Sequence, residues 1–282
     1  MTSLPFTSAQ LVMLACAPLL MVVVSLFERR WGPKIAGIVA AAPMTALIGL
    51  LLVHSDLGPH ASHEMALKMS GYVPAQIAIA LVVVVLTART SYVPGLLLGG
   101  VTYACLATLA ARLPAGVAIA ASLLFLAVGQ RMVQAPDDTG MDAQPVVQAS
   151  SWMIALRAGV SLMTALGLLL AAQAFGPAAG GAIGAFPIFT FTLCSFIVAT
   201  SGQRGVHQVL AGMVQGLPPY FAFVLTYGLT ITRIGAPGAS ITAALVCTCC
   251  YLAAAWNTAS NRPEAEPARP VTAADAAEDR AH

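Results

Sequence analysis

Charge is scarce in this chain: Asp, Glu, Lys and Arg make up only 9% of its 282 residues, and aromatic residues 7%. A formal net charge of +2, with no cluster of Lys and Arg, excludes a nucleic-acid partner, because nothing could displace counterions from phosphates. No Asp or Glu sits near the centre of any apolar run, which argues against a carboxylate proton relay. No basic residue precedes the first apolar run, and "FERRWGPK" follows it, the reverse of a secretory signal; the first helix is expected to stay. The HExxH pattern of zinc proteases is missing its second ligand, since "HEMALKM" at 63–69 has Leu67 in that place. The cysteines (16, 105, 194, 247, 249 and 250) all fall in apolar spans. "CTCC" at 247–250 has only Ala, Leu, Val and Thr around it, which reads as packing and not as a metal site. With no nucleophile, base or metal constellation in register, neither an enzyme nor a cofactor is expected.

Apolar length is what the sequence has in abundance. Apolar residues make up 59% and mean hydropathy is +0.84. Runs long enough to cross a bilayer recur from end to end, so the chain reads as an all-α polytopic membrane protein whose first partner is the lipid bilayer. The runs predict about nine transmembrane helices, near 8–27, 33–53, 63–88, 93–111, 115–132, 150–173, 178–199, 207–232 and 237–257. A polar loop, "QAPDDTGMDAQP", lies between the fifth and sixth, and the Pro-, Ala- and charge-rich end at 258–282 reads as a disordered tail. With the N-terminus outside, ten of the 13 basic residues fall on the inner side, leaving Lys68, Arg112 and Arg233 outside. The positive-inside bias therefore predicts N-terminus out and C-terminus cytoplasmic.

Sliding the chain on itself by 144 residues places Gly32, Pro33, Gly37, Pro43, Gly58, His63, Met69, Pro74 and Arg89 on Gly176, Pro177, Gly181, Pro187, Gly202, His207, Met213, Pro218 and Arg233. This reads as an internal duplication. Residues 1–112 form the first four-helix repeat, 113–149 a linker helix and cytoplasmic loop, and 150–257 the second repeat. Five helix starts separate equivalent points, so the copies are expected upside down to one another, a 4+1+4 arrangement of two inverted-topology repeats around a linker helix. The pattern Gly-Pro, Gly, Pro and then a later Pro before an aromatic ("LPPYFAF" at 217–223) resembles the GlpM-like family of small four-helix membrane proteins, here duplicated and fused. The resemblance implies an envelope or metabolite-handling role in the bacterial inner membrane. It supplies no substrate, cofactor or functional residue.

Pro43 lies ten residues after Pro33, and Pro74 eleven after His63, so both fall about 15 Å deep, near the bilayer midplane. Pro187 and Pro218 repeat the spacing in the second half. Each Pro deprives an earlier carbonyl of its amide donor, and in lipid such a break persists only where protein, water or a ligand restores the bond. Four breaks at equivalent places point to a substrate site at the repeat interface, although proline kinks with glycine packing faces are the plain alternative for each one. The polar side chains at this depth are Thr45, Ser70, Tyr72 and Gln76 in the first half and Thr190, Thr192, Gln215 and Tyr220 in the second. Arg157, roughly 10 Å into its helix by rise per residue, attracts an anionic substrate if it points inward and snorkels to the surface if it does not. His63 and His207 share a repeat position at helix starts and read as gating or coupling groups, with Glu64 expected to pair with Lys68 four residues on.

The function expected is a secondary transporter or facilitator for a small anionic or neutral metabolite. The alternative is a non-transporting subunit assisting envelope assembly or export. A homodimer is left open by the small-residue faces. The orientation is checked by reporter fusions at both ends: a cytoplasmic signal is expected after residue 257 and an external one at the N-terminus.

Overall fold

The computed structural model describes residues 30–132 and 151–260, together with isolated residues between 15 and 26. Most of the first expected helix, the loop at 133–149, the tail beyond 260 and the Arg157 side chain lie outside the described residues. What is described is helical, with no strand among the described residues: α1 (Pro33–Ala40), α2 (Met44–Gly71), α3 (Val73–Thr87), α4 (Tyr92–Arg112), α5 (Ala115–Met132), α6 (Ser151–Phe175), α7 (Pro177–Ala185) and α8 (Ile188–Ser260). Five segments are long and apolar enough to cross a membrane: Pro33–Gly71, Tyr92–Arg112, Ala115–Met132, Pro177–Ala199 and Gly202–Ala254.

Glycine in a left-handed conformation punctuates the long helices. Gly32 and Gly176 have φ of 85° and 88°, and Gly58 and Gly202 have 85° and 63°, two pairs each 144 residues apart. Only glycine takes such angles without a Cβ penalty. Pro33, Pro59 and Pro177 follow directly, where a missing amide at the start of a helix leaves no bond unmade. The third helix was expected to start at His63; helix instead resumes at Pro59, because the turn at Gly58 takes a single residue. Ser62, beyond that kink, donates to the Leu50 carbonyl before it at 2.9 Å and ties the two arms of α2 together.

Three helix interruptions fall beside prolines where breaks were expected, at 41–43, at Tyr72 beside Pro74, and at 186–187. Pro218 does not make a fourth. α8 runs through Pro218 and Pro219, and its non-helical residues are Gly202 and Gly235. The segment before these prolines is clamped in helical form against α1, where Gly212 and Gly216 let two backbones touch. A Cβ at Gly212 would strike the Lys34 carbonyl, and one at Gly216 would lie 2.7 Å from the Ala41 side chain.

The packing between the halves is reciprocal. Gly37 of α1 lies against the backbone of Val209 and Met213 in α8, while Gly181 of α7 lies against Met65 and Met69 in α2. Adding 144 to either member of the first pair, or subtracting it, yields the second. Small residues at such crossings matter because lipid tails give helices no hydrophobic reason to associate, so close contact must supply the attraction. The two crossings nonetheless differ. Gly212 and Gly216 correspond to Lys68 and Tyr72, so the first crossing is held backbone to backbone and the second carries large side chains.

Gly212→Ala is expected to force α1 and α8 apart at a cost of about 1–3 kcal/mol. Gly181→Ala, whose new methyl would lie 3.3 Å from the Met65 carbonyl, is expected to cost less. Gly100→Ala, with nothing within 4 Å, is expected to be neutral or mildly stabilising. Thermal unfolding midpoints in detergent check this order.

Candidate functional site

The two proline breaks share one hydrogen-bond pattern. Pro43 cannot donate to the Val39 carbonyl, which accepts from Ala42 N–H at 3.1 Å instead; Met44 N–H then turns to the Ala42 carbonyl at 2.8 Å, and Leu47 N–H to the Pro43 carbonyl at 2.8 Å. In the second half Phe186 N–H donates to the Ile183 carbonyl at 3.2 Å, Ile188 N–H to that of Phe186 at 2.7 Å, and Phe191 N–H to that of Pro187 at 3.1 Å. All three bonds recur at a spacing of 144 residues.

What differs is how the freed carbonyls are satisfied. At the second break, Tyr103 Oη of α4 donates to the Ala182 carbonyl at 2.7 Å, and Gln76 Nε2 of α3 donates to the Ala185 carbonyl. Tyr72 Oη adds a bond to the Ala178 carbonyl at 3.1 Å. At the first break the partner equivalent to Gln76 is Tyr220, and its hydroxyl makes no hydrogen bond. Neither the Ala40 nor the Ala41 carbonyl accepts one among the described residues.

A cavity of about 30 Å³ lies between the breaks, walled by Ala40–Ala42 and Thr45 on one side and Gly184–Pro187 on the other, with Gln76 and Tyr220 closing it. Gln76 is 3% exposed and Tyr220 5%, and they approach each other across this space. Gln76 Oε1 is without a partner, as is Tyr220 Oη. The amide orientation of Gln76 is fixed by its neighbour: a carbonyl takes only a donor, so the unpartnered atom is an acceptor.

A second cavity, of about 750 Å³, runs along α4, α6 and α7. Small residues open it, among them Ala107, Gly167, Ala171 and Ala179, while Tyr72 and Tyr103 put phenol rings into its wall. Phe186 and Ile188 border both cavities. In the first half the equivalent of Phe186 is Ala42 and that of Ile188 is Met44, and these line a pocket of about 80 Å³ with Thr45 and Phe189.

Of the residues singled out from sequence, Pro43 forms the first break, and Thr45, Gln76, Pro187 and Tyr220 gather at the small cavity, with Tyr72 at the large one. Pro74 sits in the first turn of α3, just past the interruption it was expected to make. Thr190 is buried with an unpartnered hydroxyl, yet lines neither cavity. Ser70 donates to its own helix at Leu67, 2.7 Å away, and its carbonyl accepts from Ser122 of α5 at 2.8 Å. Gln215 and Pro218 are half-buried and border neither cavity. His63 Nδ1–H donates to the Gly228 carbonyl of α8 at 2.6 Å, and His207 is half-buried. Glu64 is exposed and does not pair with Lys68, whose Nζ donates to the Ala111 carbonyl at 2.7 Å. The last turn of α4 has no intrahelical donors for its carbonyls, and an ammonium there meets the negative end of the helix.

Tyr92 and Tyr103 escaped the sequence reading. Tyr92 Oη donates to the Phe191 carbonyl at 3.0 Å. The signal was available: a phenol inside an apolar helix needs an acceptor, and carbonyls freed by a break in a neighbouring helix are acceptors. Neither a family model, nor a curated protein, nor a solved structure matches the chain.

Tyr103→Phe strips the Ala182 carbonyl of its donor and is expected to cost about 1–3 kcal/mol, measured as a lowered unfolding midpoint with helix content unchanged. Thr108→Val, on the exposed face of the same helix, is the control.

Proposed function

We infer that the chain is a secondary transporter or facilitator that moves a small anionic or neutral metabolite across a bacterial inner membrane. In this reading residues 1–112 and 150–257 are inverted four-helix repeats in a 4+1+4 arrangement, with the N-terminus outside and the C-terminus cytoplasmic. The resemblance to GlpM-like proteins and the bias of basic residues support that placement.

The observation that carries the proposal is unequal space at equivalent positions. Next to the second break lies a cavity of about 750 Å³, while the equivalent residues at the first break border about 80 Å³. The larger volume suits a metabolite. In an inverted repeat, equivalent positions face opposite sides of the membrane, so this inequality is what one state of an alternating-access cycle looks like. With the orientation taken from the basic residues, the close crossing at Gly212 and Gly216 would block the inner approach, and Tyr72, in the wall of the large cavity, would stand in the outer one. The Lys68 ammonium reaches Ala111 at the rim of the large cavity, where it offers a positive charge to an incoming anion. Rocking of the halves would open the first crossing and collapse the second, around α1, α2, α7 and α8.

Gly167 supplies the test. A Cβ added there meets nothing within 4 Å, and a larger side chain would extend into the large cavity that Gly167 lines. In proteoliposomes loaded against a panel of small organic anions and neutral metabolites, the wild type is expected to take up at least one. Gly167→Phe is expected to slow that uptake on the order of tenfold with an unchanged unfolding midpoint. Absence of flux for the whole panel, or flux untouched by Gly167→Phe, overturns the reading.

A further inference from the structure

We propose that the small cavity between the two breaks is a binding site for a dehydrated alkali cation of the size of sodium, and that this ion is coupled to the solute in the adjoining cavity. The proposal deepens the transport reading and rests on it for the coupling; binding itself stands apart. The volume, about 30 Å³, admits a single water-sized particle and nothing as large as a metabolite. The unsatisfied groups around it are oxygens: Gln76 Oε1, Tyr220 Oη, and the carbonyls of Ala40 and Ala41 in its wall, with the Thr45 hydroxyl beside them.

Charge selects among the occupants of that size. No Asp, Glu, Lys, Arg or His lines the cavity. A divalent ion would need carboxylates, and a bound anion would need donors. The donors nearest the breaks are few: one hydrogen of Gln76 Nε2 holds the Ala185 carbonyl, the amides of Met44 and Ile188 are turned back on Ala42 and Phe186, and Pro43 and Pro187 have none, while the Tyr220 and Thr45 hydroxyls can turn their lone pairs to a cation. α1 and α7 end at this point and α2 and α8 begin there, so the opposite helix-end charges offset one another and the unpartnered oxygens decide the occupant. Neutral oxygens hold a monovalent cation without a formal countercharge, which also leaves it able to depart.

Coupling follows from shared walls. Phe186 and Ile188 separate the small cavity from the large one, so filling the first sets the position of the break that shapes the second. An ion that draws Tyr220 Oη and the Ala41 carbonyl together would give the first break the satisfaction that Gln76 gives the second.

The experiment is thermal unfolding of the full chain in detergent, titrated with NaCl, LiCl, KCl and N-methylglucamine chloride at constant ionic strength. Sodium is expected to raise the midpoint saturably, by about 5 °C at a hundredfold excess over its dissociation constant, and N-methylglucamine not at all. Gln76→Leu and Tyr220→Phe are expected to remove the sodium increment. Tyr220→Phe removes one oxygen at nearly constant volume and keeps the test valid if Gln76→Leu fails to fold. No cation-specific increment in the wild type overturns the proposal, leaving the cavity to water. So does an increment that survives both substitutions, or one that follows the anion when gluconate replaces chloride. Sodium binding without solute uptake would sink the transport reading and leave the ion site standing. Uptake unaffected by sodium, with no increment, would do the reverse.

Discussion

A backbone carbonyl surrounded by apolar side chains has to find a donor, and the described structure is arranged around that need. Prolines 43 and 187 cut the helical ladder in the middle of long apolar segments, and two neighbouring helices supply donors to the carbonyls released at the second cut. Tyr103 holds α4 to α7 through the Ala182 carbonyl. Gln76 holds α3 to the same break through Ala185. These bonds act over a short range and need fixed partners, so they specify which helices are neighbours in a way that contacts between apolar faces cannot. At the first break the Ala40 and Ala41 carbonyls accept no such bond among the described residues.

Much of this was legible in the sequence, and the reasons are specific. Glycine and proline carry conformational information that survives without side-chain chemistry, so an offset found from Gly32, Gly58, Gly176 and Gly202 returned as left-handed backbone angles at those residues. Gln76 and Tyr220, singled out as polar groups inside apolar runs, both line the small cavity, although only Gln76 makes a hydrogen bond there. Proline by itself proved a weaker guide. Pro218 has the same place in its repeat as Pro74, yet its helix runs on, because the packing of Gly212 and Gly216 against α1 decides the conformation of that stretch. The Lys68 partner was missed for a related reason: spacing along one helix favoured Glu64, while the open carbonyls ending another helix were nearer in space. Left-handed glycines mark turns in the chain, while tertiary contact decides which prolines break a helix and which groups pair.

Likeness between the halves makes their differences informative. The backbone repeats its bonds at both breaks with distances that agree to within a few tenths of an ångström, yet the side chains set over those breaks do not repeat. Gln stands opposite Tyr at 76 and 220, Tyr opposite Gly at 72 and 216, Tyr opposite Cys at 103 and 247. Bulk stands beside one crossing and not the other, and the side chain over one break, Gln76, holds a carbonyl while its counterpart Tyr220 holds none.

That freedom comes from covalent linkage. Were the two units separate copies of one gene product, any change at the contact of Gly37 with Val209 would appear simultaneously at the contact of Gly181 with Met65, and neither side could be adjusted alone. Joined in a single polypeptide, each unit mutates independently while the shared bend geometry keeps them matched. Two identical halves could face each other only with equal chemistry, whereas these two bring Gln76 and Tyr220 to one cavity from matched positions.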